Sequence, residues 1–249
     1  KSDLRQKYFH AIETFFELFL GLNPKGKKPY MDRNILFTLS NTNFTETYSK
    51  IRKISESNNG LDFLNEKTKY NDYEVTIGQY LFYTGIVKND KLNNEFLNKI
   101  NNSLEVIKIA IKILANDFVK REEYNAYKHG LRIIPATEKL AFADPDTLEI
   151  KLEMDLRDSM SFYAKTKDKE TLKVVTKVFD SERDYKMTIL CSKLIHSLLF
   201  YRRVSMRFES DKDKFEKIPV LFFDKDWMND CSKINVEFQD FIHTITEVD

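Results

Sequence analysis

Apolar residues at Leu97, Ile100, Leu104, Ile107, Ile111, Leu114 and Phe118 recur in steps of three and four. That rhythm puts them on one stripe of an α-helix. No Gly or Pro interrupts the chain until Gly130, a natural helix stop, so the pattern predicts one core helix over 92–132. Two further stripes flank it. Leu4, Tyr8, Ile12, Phe15, Phe19 and Leu22 predict a helix over 3–22, and Tyr48, Ile51 and Ile54 predict one over 45–57. Residues 75–87 keep helical spacing through Ile77, Tyr80, Leu81 and Thr84, with Gly78 and Gly85 small enough to admit a neighbouring backbone.

The period then changes. Runs at 138–143, 148–154, 159–166 and 171–179 carry period-two features, as in Ile150, Leu152 and Met154, and in Val174, Thr176 and Val178. Asp144-Pro145-Asp146 and Lys167-Asp168-Lys169 supply turns between them. Helical spacing returns with Ser181 as the expected N-cap, followed by Met187, Cys191, Leu194, Leu198 and Tyr201. Val220–Phe223 reads as a short strand, and residues 226–246 read as a last helix on Trp227, Ile234, Phe238, Phe241 and Ile245. Trp227 is expected to anchor the core. The pattern therefore predicts a mainly α protein: a helical bundle with a small antiparallel β-sheet or hairpin inserted between two long helices. It reads as one domain over 1–249, with N-terminal helices over 1–90, the core helix, a β insert over 138–179 and C-terminal helices over 181–246.

Charge narrows the partners. Forty Lys and Arg stand against thirty-nine Asp and Glu, a formal net charge of +1, so no global field draws the chain to nucleic acid or to an anionic membrane. Any such contact must come from a local patch. Lys25, Lys27 and Lys28 form one basic loop, and Arg202, Arg203 and Arg207 a second cluster; both read first as solvated surface. Cys191 and Cys231 lack metal-like neighbours and read as reduced core thiols of a cytoplasmic protein. No run is apolar enough to span a bilayer, and no cofactor or metal motif appears. His10, His196 and His243 are scattered and read as surface or boundary residues.

One constellation carries chemistry. Where the core stripe should continue, its steps land on Arg121, Asn125 and His129, with Tyr124, Lys128 and Arg132 beside them. A guanidinium can hold a phosphate, an amide can orient it, and an imidazole can move a proton near neutral pH. The competing reading is that the three cap and solubilise a helix end. The adjacent Glu122-Glu123 reads as a solvated acidic face.

The string Tyr124-Asn125-Ala126-Tyr127-Lys128-His129-Gly130, at the end of a long helix, resembles the signature region of the HEPN superfamily (higher eukaryotes and prokaryotes nucleotide-binding). It is also similar to bacterial proteins that share Tyr-Asn-x-x-Lys-His-Gly before a β-hairpin and a helix. The superfamily motif is an Arg, usually a polar residue next, and a His with four to six residues between it and the Arg. Asn125 and His129 match; Tyr124 stands where the Arg belongs, and Arg121 lies one turn earlier. The resemblance covers about residues 92–205. It implies a helical, often dimeric protein that binds RNA or a nucleotide. It further implies a metal-independent ribonuclease of a toxin or phage-defence system, with His129, Asn125 and Arg121 catalytic and Tyr124, Lys128 and Arg132 binding. The alternative is a non-catalytic helical module that dimerises or docks a partner protein.

Overall fold

A computed structural model describes residues 2–24, 35–40, 43–70, 73–87, 92–128, 133–134, 139–157, 159–164, 171–210, 219–235 and 240–246. In chain order its elements are α1 (Ser2–Gly21), α2 (Ile35–Ser40), α3 (Phe44–Glu56), β1 (Lys67–Tyr70), β2 (Tyr73–Thr76), α4 (Ile77–Phe82), α5 (Asn94–Val119) and α6 (Glu122–Lys128). Strands β3 (Ile133–Ile134), β4 (Lys139–Ala143), β5 (Ile150–Asp155), β6 (Ser159–Ala164) and β7 (Thr171–Val178) follow. The chain closes with α7 (Ser181–Ser210), α8 (Lys225–Ser232) and β8 (Asp240–Thr246). The protein is mainly helical, with antiparallel β structure inserted between its two longest helices, as the periodicity predicts. Among the described residues no helix is long and apolar enough to cross a membrane.

The chain divides into two compact units, each assembled from separate segments. A helical unit comprises Ala11–Val119 and Thr188–Ser232; a sheet unit comprises Lys1–His10, Lys120–Met187 and Lys233–Asp249. In the helical unit the predicted seam is the core of α5, with Ile100, Ile107, Ile111 and Leu114 fully buried. Asn43 caps α3, its side chain accepting from the backbone N–H groups of Thr45 and Glu46. Residues 73–87 divide between β2 and α4 because Thr76 and Gln79 form a reciprocal capping box that turns strand into helix. A Cβ at Gly78 would sit 3.3 Å from both Leu104 Cδ2 and the Leu64 carbonyl, so its small size does admit a neighbour. Val220–Phe223 forms no strand. The Leu221 N–H donates instead to the Tyr201 hydroxyl (2.6 Å) and the Phe223 N–H to the Ser103 hydroxyl (2.7 Å). Trp227 is only half-buried, with the Lys193 ammonium 4.0 Å from its ring centre; Met228 is the residue that α8 buries. Cys191 and Cys231 are buried free thiols, and burial pushes the Cys191 thiol well above its ordinary range.

In the sheet unit a four-stranded antiparallel sheet runs β3-β6-β7-β8, and β4 and β5 form a separate hairpin. All four period-two runs are strands. The expected helix over 226–246 is not: it stops at Ser232, and Asp240–Thr246 pairs with β7 through seven residues. Phe241 and Ile245 fit either period, and pairing with β7 decides. Val175 pairs with Phe162, and both are buried against α6 with Met160, Phe179 and Ala126. Lys177, two residues on, shares the Val175 face. Ile150, first of the alternating apolar residues of β5, is 57 % exposed.

Candidate functional site

The predicted core helix is two helices. α5 ends at Val119, and α6 begins at Glu122 with the Asn125 N–H donating to the Arg121 carbonyl (3.1 Å). A straight continuation would have carried Arg121 and Asn125 along the apolar stripe. In α6 the buried residues are Glu123, Tyr124 and Ala126. Arg121 is buried and Asn125 exposed, so the four-residue spacing does not bring these two to one surface. Tyr127 and Lys128 are exposed, while Tyr124, expected as a binding residue, is fully buried. His129 and Arg132 lie outside the described residues, as do the Lys25–Lys28 loop, Arg207 as a side chain and the turn at Lys167–Lys169.

What holds α6 from behind is an ionic network that the sequence disguises. Glu123, read as a solvated acid, is fully enclosed. Its Oε1 accepts from Arg5 Nη2 (3.0 Å) and its Oε2 from Lys177 Nζ (3.0 Å). Arg5 Nη1 donates to Asp184 Oδ1 (2.7 Å), and the Arg5 guanidinium lies 4.8 Å from the Phe9 ring centre. Burial alone would lower the Arg5 pKa, but Asp184 and then Glu123 outweigh it and hold the guanidinium charged beyond its ordinary value. Two cations thus answer two carboxylates inside the sheet unit. Lys177 is the inward lysine of β7, tolerated there because α6 brings Glu123 to it and the Lys120 carbonyl also accepts (3.3 Å).

Aromatic packing continues the anchor. Phe9 stacks on Tyr124 with ring centres 5.3 Å apart. The Tyr124 hydroxyl is 2.9 Å from His10 Nδ1, and the Lys128 ammonium lies 4.4 Å from the Tyr124 ring centre. The N-cap of α7 is Asp180 rather than Ser181. Its Oδ1 accepts from the Arg183 N–H (2.9 Å), and its Oδ2 from the Asn235 N–H (2.7 Å), which ties the approach to β8. Of the second basic cluster, Arg202 is buried, with Nη1 3.5 Å from the Tyr80 hydroxyl; Arg203 is exposed.

Arg5, Lys177 and His10 have no local signal as partners of α6, since Arg5 and Lys177 lie 118 and 54 residues from Glu123 and His10 lies 114 from Tyr124. Among the described residues no group of three or more His, Cys, Asp or Glu could hold a metal. The α6 surface therefore offers amide, phenol, ammonium and imidazole chemistry. No protein-family model, curated protein or solved structure matches the chain.

Proposed function

We propose that this chain is a HEPN-like RNA- or nucleotide-binding protein whose contact surface is the outer side of α6. The observation that carries the reading is a division of labour within seven residues. Glu123, Tyr124 and Ala126 are buried and fix the helix, while Asn125, Tyr127 and Lys128 are exposed. Those three supply an amide for base edges, a ring for base stacking and an ammonium for phosphate. The resemblance of 124–130 to the superfamily signature supports the same assignment. A rigid backing lets such groups bind without first being ordered, which favours affinity.

A metal-independent ribonuclease is the catalytic form of this proposal. His129 would transfer the proton and Asn125 orient the phosphate. With Arg121 buried, the developing charge would fall to Arg132. The setting is a cytoplasmic bacterial toxin or phage-defence protein acting as a homodimer.

The test is fluorescence polarisation with a labelled single-stranded RNA of mixed sequence, alongside a gel assay for cleavage in EDTA. Wild type should bind. Replacing Tyr127 by Ala should weaken binding roughly tenfold, within the usual worth of one stacked base. The triple change Asn125→Ala, Tyr127→Ala, Lys128→Ala should abolish it. Wild-type protein that ignores RNA and mononucleotides alike sinks the reading.

Partner-protein docking is the second reading. It is favoured by Tyr185, Ile234 and Ile242, which belong to the sheet unit and are each at least half exposed. Changes at these three would then impair association and leave RNA untouched.

A further inference from the structure

We propose that the outer edge of β8 is a dimerisation surface. Two copies of this chain join their four-stranded sheets by antiparallel pairing of β8 with β8, about a two-fold axis at His243. The inference gives the homodimer of the reading above its contact surface, and it does not depend on RNA being the ligand.

The strand order puts β8 at one end of the sheet, paired with β7 from Lys177↔Asp240 to Thr171↔Thr246. An antiparallel strand directs its N–H and C=O groups alternately to its two sides. Those directed away from β7 meet no other strand among the described residues. Proteins commonly blunt such an edge with brevity, charge or Pro. The other edge strands of this chain do so. β3 has two residues; the β1–β2 pair carries Lys67, Lys69 and Glu74, and the β4–β5 pair carries Lys139, Lys151, Glu153 and Asp155. β8 runs Asp-Phe-Ile-His-Thr-Ile-Thr, with its one acid at the first position and four β-branched residues among seven.

The register shows what this edge leaves unfinished. Ile133 pairs with Phe162, Phe162 with Val175, and Val175 with Ile242. Paired residues share a face, so one apolar row crosses all four strands on the side where α6 packs. Phe162 and Val175 are buried within that row, whereas Ile242, at its end, is 53 % exposed. A single exposed isoleucine is ordinary. One that ends a buried row on an edge without guarding charges is where the row can continue into another molecule.

The occupant is a second copy because β8 is complementary to itself. In one continuous sheet, facing residues lie on the same face, and side chains alternate between faces, so the axis passes through a residue. His243 is the middle of the seven, and an axis there pairs the whole strand. Asp240 then faces Thr246 of the other copy, Phe241 faces Ile245, and Ile242 faces Thr244. No carboxylate opposes a carboxylate, and an aromatic residue opposite a β-branched one is a favourable cross-strand pair. The two Ile242 positions lie diagonally across the axis, so the apolar row of one copy runs on into that of the other.

The experiment is analytical ultracentrifugation of the full chain from low to high micromolar concentration, with thermal melts of each variant. Wild type should form a dimer. Ile242→Lys puts a charge in the row on each side of the axis and should weaken the dimer at least about tenfold. Its melt should stay unchanged, because Ile242 is exposed. Adding Thr244→Glu to Ile242→Lys sets opposite charges directly across the axis twice, and should recover at least about threefold of that loss. His243→Cys should cross-link to itself under mild oxidation, since antiparallel partners lie about 4.5–5.5 Å apart at Cα, within disulfide reach. Glu122→Cys, exposed on α6, should not. A monomer at every concentration, a dimer indifferent to Ile242→Lys, or a dimer that His243→Cys fails to trap overturns the proposal. RNA polarisation on the same samples scores the α6 reading separately, so either can fall without the other.

Discussion

Glu123 has an ion-pair partner on each carboxylate oxygen and no exposure to water. Removing one member of such a buried network leaves the others charged and uncompensated, at about 3–5 kcal/mol. Glu123→Ala is therefore expected to cost about that much in urea unfolding, while Glu122→Ala, one residue away and exposed, should stay within about 0.5 kcal/mol. Equal small effects would mean that Arg5 and Lys177 find other partners. Leu148 presents the opposite case. It is 78 % exposed and held at φ 56°, in the left-handed region. That conformation costs an ordinary side chain about 1–2 kcal/mol, and glycine gives back about 0.5–1 through backbone entropy. Leu148→Gly should thus raise stability by roughly 0.5–1 kcal/mol in the same assay; a loss would show that the leucine makes a contact its exposure hides. Neither residue advertises its role locally. Glu123 lies beside Glu122 in a charged stretch, and only partners at Arg5 and Lys177 reveal that it is inside.

Elements were legible where one period ran unbroken and one partner sufficed. α1, α3, the body of α5 and α7 follow their apolar stripes, and all four period-two runs became strands. Two elements misled for physical reasons. Between Val119 and Glu122 the helical rhythm continues in the sequence with no Gly or Pro to mark a stop, yet α5 ends and α6 begins there. At the C-terminal end, Phe241 and Ile245 fit a helix as well as a strand, and hydrogen bonding to β7 settles the matter from 63 or more residues away in sequence. The β4–β5 hairpin shows local chemistry that was readable. Asp144 accepts from the N–H groups of Asp146 (3.0 Å) and Thr147 (3.2 Å) and pairs with Lys151 across the turn. The Lys151 hydrogen bond, then those backbone donors, hold its carboxyl below the ordinary value of 3.8. A depressed carboxyl stabilises at pH above its unfolded value and loses that contribution as the pH falls through the folded one. The protection factors of hairpin amides, taken against the intrinsic exchange rate at each pH, should therefore fall as the pH drops below about 4, and in Asp144→Asn they should stay nearly constant over that range. Unchanged pH dependence in the asparagine variant would assign the effect elsewhere.

At the scale of the whole chain, the two compact units draw on interleaved segments, and α1 and α7 each contribute to both. Each unit has its own centre of stability: the ionic network and the Met160–Phe162–Val175 cluster in the sheet unit, and the α5 seam in the helical unit. Truncating Ile107, fully buried in mid-seam, should cost about 2–5 kcal/mol through the cavity it leaves. Glu123→Ala should cost a similar amount by a different route. The two losses need not spread equally, because proteins open in local cooperative units whose free energies differ. Hydrogen exchange read by mass spectrometry separates them. Glu123→Ala is expected to raise exchange across β6, β7 and β8 while α5 amides stay near their wild-type protection. Ile107→Ala should do the reverse. Its effect should reach α3 and α4, which pack on α5, before it reaches the strands. The helices shared by both units are the informative places: in each variant, only the half of α1 and of α7 that belongs to the weakened unit should lose protection. Exchange that rises uniformly along the chain in both variants would show one cooperative structure, and the division into two units would then describe packing alone and not stability.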